Sequence, residues 1–340
     1  MSSQMIVKTI AAVLDATALR VPKNVGVVSA SPDFLMRSVT ATDSTSSYDS
    51  SNGNDSLPLH RYTYQDFRDK TNMMAGFLRA YGYERNDVMV SDLPNVAENL
   101  ILQIACNRIG VTYATTKGLE GMAKLPKVRG SVAASGTGFL AETNLSVPFL
   151  SGEFLLDLIH GNDGMLGLEE FRLEDNEQDT DNNVTVLPPH AYYNNTKPFT
   201  NLEALEMGTD AAWEVAMVED DVVCVAITLC HPFGIGSAVC STLNTGATLV
   251  LPSVGDIRGC GVPSERADAT LEVLESEKCT LLFCDTHTLK ALPDEDAIHS
   301  ERLSLKGGVC KVGSGSQFLE ETVKFGGATF KTIGSLPKLK

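Results

Sequence analysis

The sequence predicts an α/β protein in which parallel sheets are flanked by helices and divided between two lobes. Short apolar or β-branched runs alternate with amphipathic stretches along most of the chain. Strand, helix and strand succeed one another between Val88 and Ala114 at the pitch of a βαβ unit, which requires a parallel pair. A pattern-poor, acidic stretch in the middle separates a first lobe over 1–140 from a second over 191–340, with 141–190 as an irregular insertion or linker.

Taken in order, Thr9 can cap a helix carrying Ile10, Val13, Leu14 and Ala18 on one face, with Pro22 just past its end. Val25–Val28 follows as a short strand. Residues 40–57, rich in Ser, Thr, Asp, Asn and Gly, bury too little to fold and read as a loop insertion. Thr63 and Asp66 fit a capping box for a helix whose buried face holds Phe67, Met74, Leu78 and Tyr81, ended by Gly82. Val88–Val90 is a strand, Leu93-Pro94-Asn95 a turn, Ala97–Arg108 a helix closed by Gly110, and Val111–Ala114 the next strand. Eight acids and one base between Asp163 and Asp181 repel one another and mark a solvated insertion. A calcium loop starting at Asp179 fails, because Val184 and His190 stand where the turn glycine and closing glutamate belong.

The second lobe reads more regularly. Val222–Thr228 is a buried strand, Ile235–Leu243 a short helix and Ala247–Leu251 a strand. Ser264–Glu277 is an amphipathic helix, Cys279–Phe283 a strand and Thr286–Leu292 a helix. Val309–Val312, Gln317–Lys324 and Ala328–Ile333 then read as strand, helix and strand.

Composition narrows the function. A formal charge of −16 and the lack of a basic patch exclude a nucleic-acid or anionic-membrane surface, and no apolar run reaches membrane-span length. The eight cysteines fall mostly in apolar runs and form no C-x-x-C, so zinc is not expected and no metal ligands are assigned. Buried thiols and the missing signal-peptide layout imply an intracellular, reducing compartment, cytoplasm or mitochondrion. Asn-x-Ser/Thr triplets such as Asn194-Asn195-Thr196 then carry no meaning as glycan sites.

Three glycine-rich spots invite a ligand. Ser135-Gly136-Thr137-Gly138 lacks the lysine of a phosphate loop and reads as a turn. Gly234-Ile235-Gly236 lacks the third glycine of a dinucleotide fingerprint, and either close helix contact or backbone approach to a ligand explains it. Gly313-Ser314-Gly315-Ser316 follows a strand and is expected to open a helix, whose free N–H groups would face an anion or an acyl carbonyl; a plain structural turn serves equally. His231 ends a buried strand and is either a crevice-lining residue or a structural one. Asp285, His287 and Asp294 could form an acid–base cluster, but Asp294 lies past the helix in a Pro-Asp-Glu-Asp loop, and a solvated loop is the reading adopted. Spacing alone thus yields a fold without a reaction.

The run Tyr64, Phe67, Asn72, Ala75, Leu78, Gly82, Asp87-Val88, Leu93-Pro94-Asn95, Glu98, Ala105 and Gly110 resembles the N-terminal segment of the adenylate-forming superfamily, the AMP-dependent synthetases and ligases that include the acyl-CoA synthetases. The second half is similar in the same order: Glu219–Val222, then Leu229, His231 and Gly234, then Gly246–Pro252 and Thr280–Leu292. The resemblance implies that His231 and Gly234, with Gly313, Ser314 and Gly315, border an acyl pocket. It also implies ATP or AMP with Mg²⁺ as cofactors wherever activity is retained.

The departures from that pattern shape the expected function. Where the family cradles phosphates in a glycine-rich loop, this chain reads Tyr193-Asn194-Asn195-Thr196-Lys197-Pro198, a shortened loop without glycine in which Lys197 is the one cation. Lys340 falls close to where the family's Thr-Glu motif would stand, and the family's C-terminal lobe is absent from the sequence. The expectation is a non-catalytic acyl- or nucleotide-binding or scaffold subunit, with no catalytic residue assigned, held in a larger assembly by a protein partner or as a homodimer. The alternative is part of an active acyl-CoA synthetase completed by a second chain or a longer product.

Overall fold

A computed structural model describes residues 8–30, 59–115, 118–133, 149–161, 171, 187–193, 197–252, 263–293 and 302–335. The predicted loop at 40–57, the Ser135–Gly138 turn, the acidic stretch with Asp179, Asn194–Thr196 and Asp294 lie outside them. The strands are β1 (Val25–Ala30), β2 (Leu59–Thr63), β3 (Val88–Asp92), β4 (Thr112–Thr115), β5 (Val128–Ala133), β6 (Phe149–Ser151), β7 (Ala191–Tyr193), β8 (Pro198–Phe199), β9 (Val222–Ala226), β10 (Thr248–Val250), β11 (Leu281–Asp285), β12 (Gly307–Val312), β13 (Gln317–Phe325) and β14 (Ala328–Gly334). The helices are α1 (Ile10–Arg20), α2 (Tyr64–Ala80), α3 (Ala97–Arg108), α4 (Gly118–Met122), α5 (Gly152–His160), α6 (Asn201–Glu214), a π-helical stretch Phe233–Val239 running into α7 (Cys240–Thr245), α8 (Pro263–Ser276) and α9 (Thr286–Ala291). None is long and apolar enough to cross a membrane.

Two mixed sheets, both mainly parallel, form the frame. One runs β13-β14-β12-β11-β9-β10-β1-β2 and the other β6-β5-β3-β4-β7-β8. The expected βαβ unit is present: β3 and β4 pair in parallel with Met89 opposite Tyr113. The sheets apportion the chain differently from a linear cut at 140 and 190. The early strands β1 and β2 join the eight-stranded sheet, and β7 and β8 join the six-stranded one. Within 141–190, β6 and α5 are regular, and β6 pairs with β5. Shortness hid β6, since three residues of strand give no period to read. Helix α5, by contrast, carried readable end signals in the Ser151 cap and the left-handed Gly161.

One predicted helix is a strand. Gln317–Phe325 forms β13 and returns through Gly326-Gly327, both at positive φ (57° and 78°), into the antiparallel partner β14. Two consecutive left-handed residues are the signature of a type I′ hairpin, which glycine alone adopts without strain. Gly313–Ser316 therefore opens no helix and offers no helix-terminal amides. Edge strand β13 carries a bulge between Leu319 and Thr322 and exposed Glu320 and Glu321, features that discourage edge pairing.

The sheets are joined by α3, every residue of which is buried. A polar line spaced by four runs from the turn before it to its end: Asn95, Asn99, Gln103 and Asn107. Asn99 accepts from Tyr113 Oη at 2.8 Å, and Gln103 accepts from Tyr193 Oη at 2.9 Å. Asn107 donates to Asn201 Oδ1 at 2.9 Å and accepts from the Ala11 amide at 3.1 Å. Asn95 donates to the Ile227 carbonyl at 2.8 Å and accepts from the Leu229 amide at 2.9 Å. Side chains of one helix and its entry turn thus reach β4 and β7 of one sheet, the loop after β9 of the other, and helices α1 and α6.

Candidate functional site

A cleft of about 650 Å³ opens where the carboxyl ends of β9, β12 and β14 face the start of α6. In open α/β sheets this edge is where ligands bind. His231, Gly313, Ser314, Gly315 and Lys197, singled out from sequence, all border it. Gly234 does not. A Cβ there would stand 2.2 Å from the Thr228 carbonyl oxygen, so this glycine lets the π-helical stretch press against its own entry turn. Gly236 lies against α6 with somewhat more room, where a Cβ would meet Met207 Sδ at 3.0 Å. Close contact explains this glycine pair.

The turn after β9 delivers His231. Its Nδ1 accepts the Phe233 amide at 3.1 Å, so the proton of the neutral ring resides on Nε2. Burial, aided by the positive charge of Lys311, lowers its pKa to about 4. The ring is therefore a neutral N–H donor at physiological pH.

Lys311, near the end of β12, was not picked out from sequence, because a lysine on a strand gives no local signal. Its Nζ donates to the Gly315 carbonyl at 2.5 Å and stands 5.9 Å from the centroid of the Phe233 ring, within cation–π range. Burial lowers its pKa. Ser314 and Ser335 join through their hydroxyls at 3.2 Å, and Ser335 Oγ donates to the Ser314 carbonyl at 2.8 Å. A Cβ on Gly315 (φ 93°) would meet the Gly334 carbonyl oxygen at 2.5 Å, so the glycine allows two backbones to cross at the cleft rim.

The opposite wall is α6. Its N-cap, Thr200, shares a capping box with Glu203, and Glu203, Glu206 and Asp210 all face the cleft. Apolar surface comes from Phe233, Met207, Phe199 and Ile333. Behind the Tyr193 and Phe199 rings lies His190, whose two ring nitrogens find no hydrogen-bond partner among the described residues and whose pKa burial lowers to about 3. A second polar cluster, remote in sequence from these residues, joins His160 Nε2 to Glu98 Oε1 at 2.8 Å and Tyr62 Oη to the same oxygen at 2.9 Å. Among the described residues no group of three or more His, Cys, Asp or Glu side chains is arranged to hold a metal ion. Asp285 caps α9 through the Thr288 amide at 2.7 Å and faces Arg266 at 3.3 Å, a structural role.

No protein-family model matches the sequence, and no curated protein does. Solved structures do match. Benzoate CoA ligase from Burkholderia xenovorans superposes with a TM-score of 0.65 at 13% identity, over 91% of this chain and 56% of the ligase. Fatty acyl CoA synthetase from Mycobacterium tuberculosis gives 0.63 at 12% identity, over 91% and 55%. The fold is that of the N-terminal domain of adenylate-forming enzymes. The N-terminal subdomain of NpsA from Klebsiella oxytoca, solved in complex with 3-hydroxybenzoyl-AMSN, gives 0.57 at 13% identity, over 92% and 68%. The chain spans a little over half the length of the first two structures, and the shared part is the N-terminal portion of the adenylate-forming fold.

Proposed function

We propose that this domain of adenylate-forming fold holds a small organic acid in its cleft and does not activate it with ATP. The observation that supports this reading is the charge of the walls. Three carboxylates on α6 face two ammonium groups, Lys197 and Lys311. Two like charges about 5 Å apart repel by about 3 kcal/mol at an effective dielectric near 20, so a triphosphate would meet a cost at each acid. A single carboxylate can keep to the far wall, where Lys311 and the Nε2–H of His231 donate and Phe233 accommodates an apolar body. The Tyr193–Pro198 segment adds to the case, since it contains no glycine to let amides wrap phosphates. Binding without turnover suits a subunit of a larger assembly.

Thermal shift and pyrophosphate exchange test this together. Benzoate or a medium-chain fatty acid is expected to raise the melting temperature, as any ligand selective for the folded state must. Mg-ATP is expected to leave it unchanged. Lys311→Met removes a charged donor worth about 1.5–3 kcal/mol and is expected to weaken acid binding tenfold or more. Carboxylate-dependent ATP–pyrophosphate exchange by this chain would overturn the proposal and establish an active synthetase.

A further inference from the structure

Outward from its cleft-lining acids, α6 continues into a solvent-facing surface whose composition differs from that of an ordinary solvated helix face. Leu202 is 65% exposed and Trp213, the sole tryptophan of the chain, is 78% exposed. Eleven residues are close to three full turns, so the two side chains fall on one line about 16 Å apart. Beside that line the helix carries Glu203, Glu206, Asp210 and Glu214 and no lysine or arginine. Lys331 partly answers Glu214 at 3.0 Å, and Glu203 is engaged in its capping box. Glu206 and Asp210 are exposed, and no partner for either is found among the described residues.

We propose that this face of α6 docks a basic amphipathic segment of a partner protein, two apolar residues of which cover Leu202 and Trp213 while lysines or arginines meet Glu206 and Asp210. Charge complementarity selects this occupant over the others. A nucleic acid or an anionic vesicle would set phosphates against the acid row. A second copy of the chain, itself at −16, would set acid against acid. Tryptophan is among the residues that most often dominate interface energetics, and covering one exposed indole removes a large apolar surface from water. Because Glu203, Glu206 and Asp210 also line the cleft, an occupant of this face would stand at the cleft mouth.

Trp213 supplies its own reporter. A synthetic helical peptide with two leucines eleven residues apart, flanked by lysines, is titrated while tryptophan emission is recorded. The comparison peptide keeps the leucines and replaces each lysine by glutamate. The lysine peptide is expected to shift the emission to the blue saturably, with affinity falling steeply as salt rises, and the glutamate peptide to give no shift. Glu206→Lys with Asp210→Lys should weaken binding at least tenfold, whereas Asp268→Lys with Glu272→Lys, equal in charge but on α8, should not. Anisotropy of the labelled peptide should show a comparable loss for Trp213→Ala, with circular dichroism confirming that each variant is folded. Equal weakening by the α8 pair would reduce the effect to general attraction for an acidic protein and overturn the proposal. So would equal binding of the two peptides, no binding at all, or a blue shift that appears on concentrating the protein alone.

Discussion

Replacing Asn95 by alanine tests whether the turn before α3 holds His231 in place. The amide makes two bonds to the loop after β9, a donation to the Ile227 carbonyl at 2.8 Å and an acceptance from the Leu229 amide at 2.9 Å. Each is worth about 0.5–1.5 kcal/mol net, and a buried amide left without a partner costs a further 1–3 kcal/mol or so. Leu229 is fully buried, whereas Asn95 is only partly buried and admits some water, which favours the lower part of the range. The expected loss is about 2–3 kcal/mol, read from urea unfolding at constant m-value. Asn244→Ala, which removes only an exposed bond to Thr209, serves as the control and should cost under about 0.5 kcal/mol. The loosened loop should also weaken organic-acid binding. A destabilisation below about 0.5 kcal/mol for Asn95→Ala would refute the idea that these bonds fix the loop.

Other substitutions probe other parts of the molecule. Gly234→Ala drives a methyl into the Thr228 carbonyl and should cost about 1–3 kcal/mol or more while displacing His231, as measured by unfolding and by ligand thermal shift. Arg108 holds Asp15 through two bonds of 2.7 Å and is nearly sealed from solvent; Arg108→Met should cost about 3 kcal/mol, with part regained in the Asp15→Leu double variant. Gly326→Ala places a Cβ at positive φ in the β13–β14 hairpin and should lower stability by about 1 kcal/mol. Acid should destabilise the protein through His231 and His190. Their folded pKa values, about 4 and about 3, lie below the ordinary 6.5, so the unfolded chain takes up protons that the native one refuses. This contribution is intact above about pH 6.5 and is lost as pH falls from there through 4 to 3. The His190→Leu and His231→Gln variants should each flatten that slope in a melting-temperature profile.

Much of the framework was legible because it rests on local rules. The Thr63–Asp66 capping box is present, with the Asp66 amide reaching Thr63 Oγ1 at 3.1 Å, and the helix predicted at Ala97–Arg108 has those bounds. What escaped is what long-range contact decides. Helix α3 shows no hydrophobic stripe because it is buried on every side, with its amide side chains satisfied by distant partners, as much as 134 positions away for the turn that precedes it. Gln317–Phe325 has enough helix-forming glutamate and lysine to mislead, and the deciding signal was the Gly326-Gly327 pair beyond it. In the cleft, His231 and the glycine loop stood out through unusual neighbours. Lys311 gained its place only when β12 came to lie beside β14 and the Phe233 ring.

The line of amides along α3 has a mechanical consequence. An oily seam between layers tolerates a small slide, since one methyl group replaces another at little cost. Directional bonds spaced by a single helical turn do not, because a slip of one residue would break the Tyr113, Tyr193 and Asn201 contacts together. The helix therefore behaves as a toothed key seated in both layers at once, and neither layer can shift against it without losing several teeth in the same step.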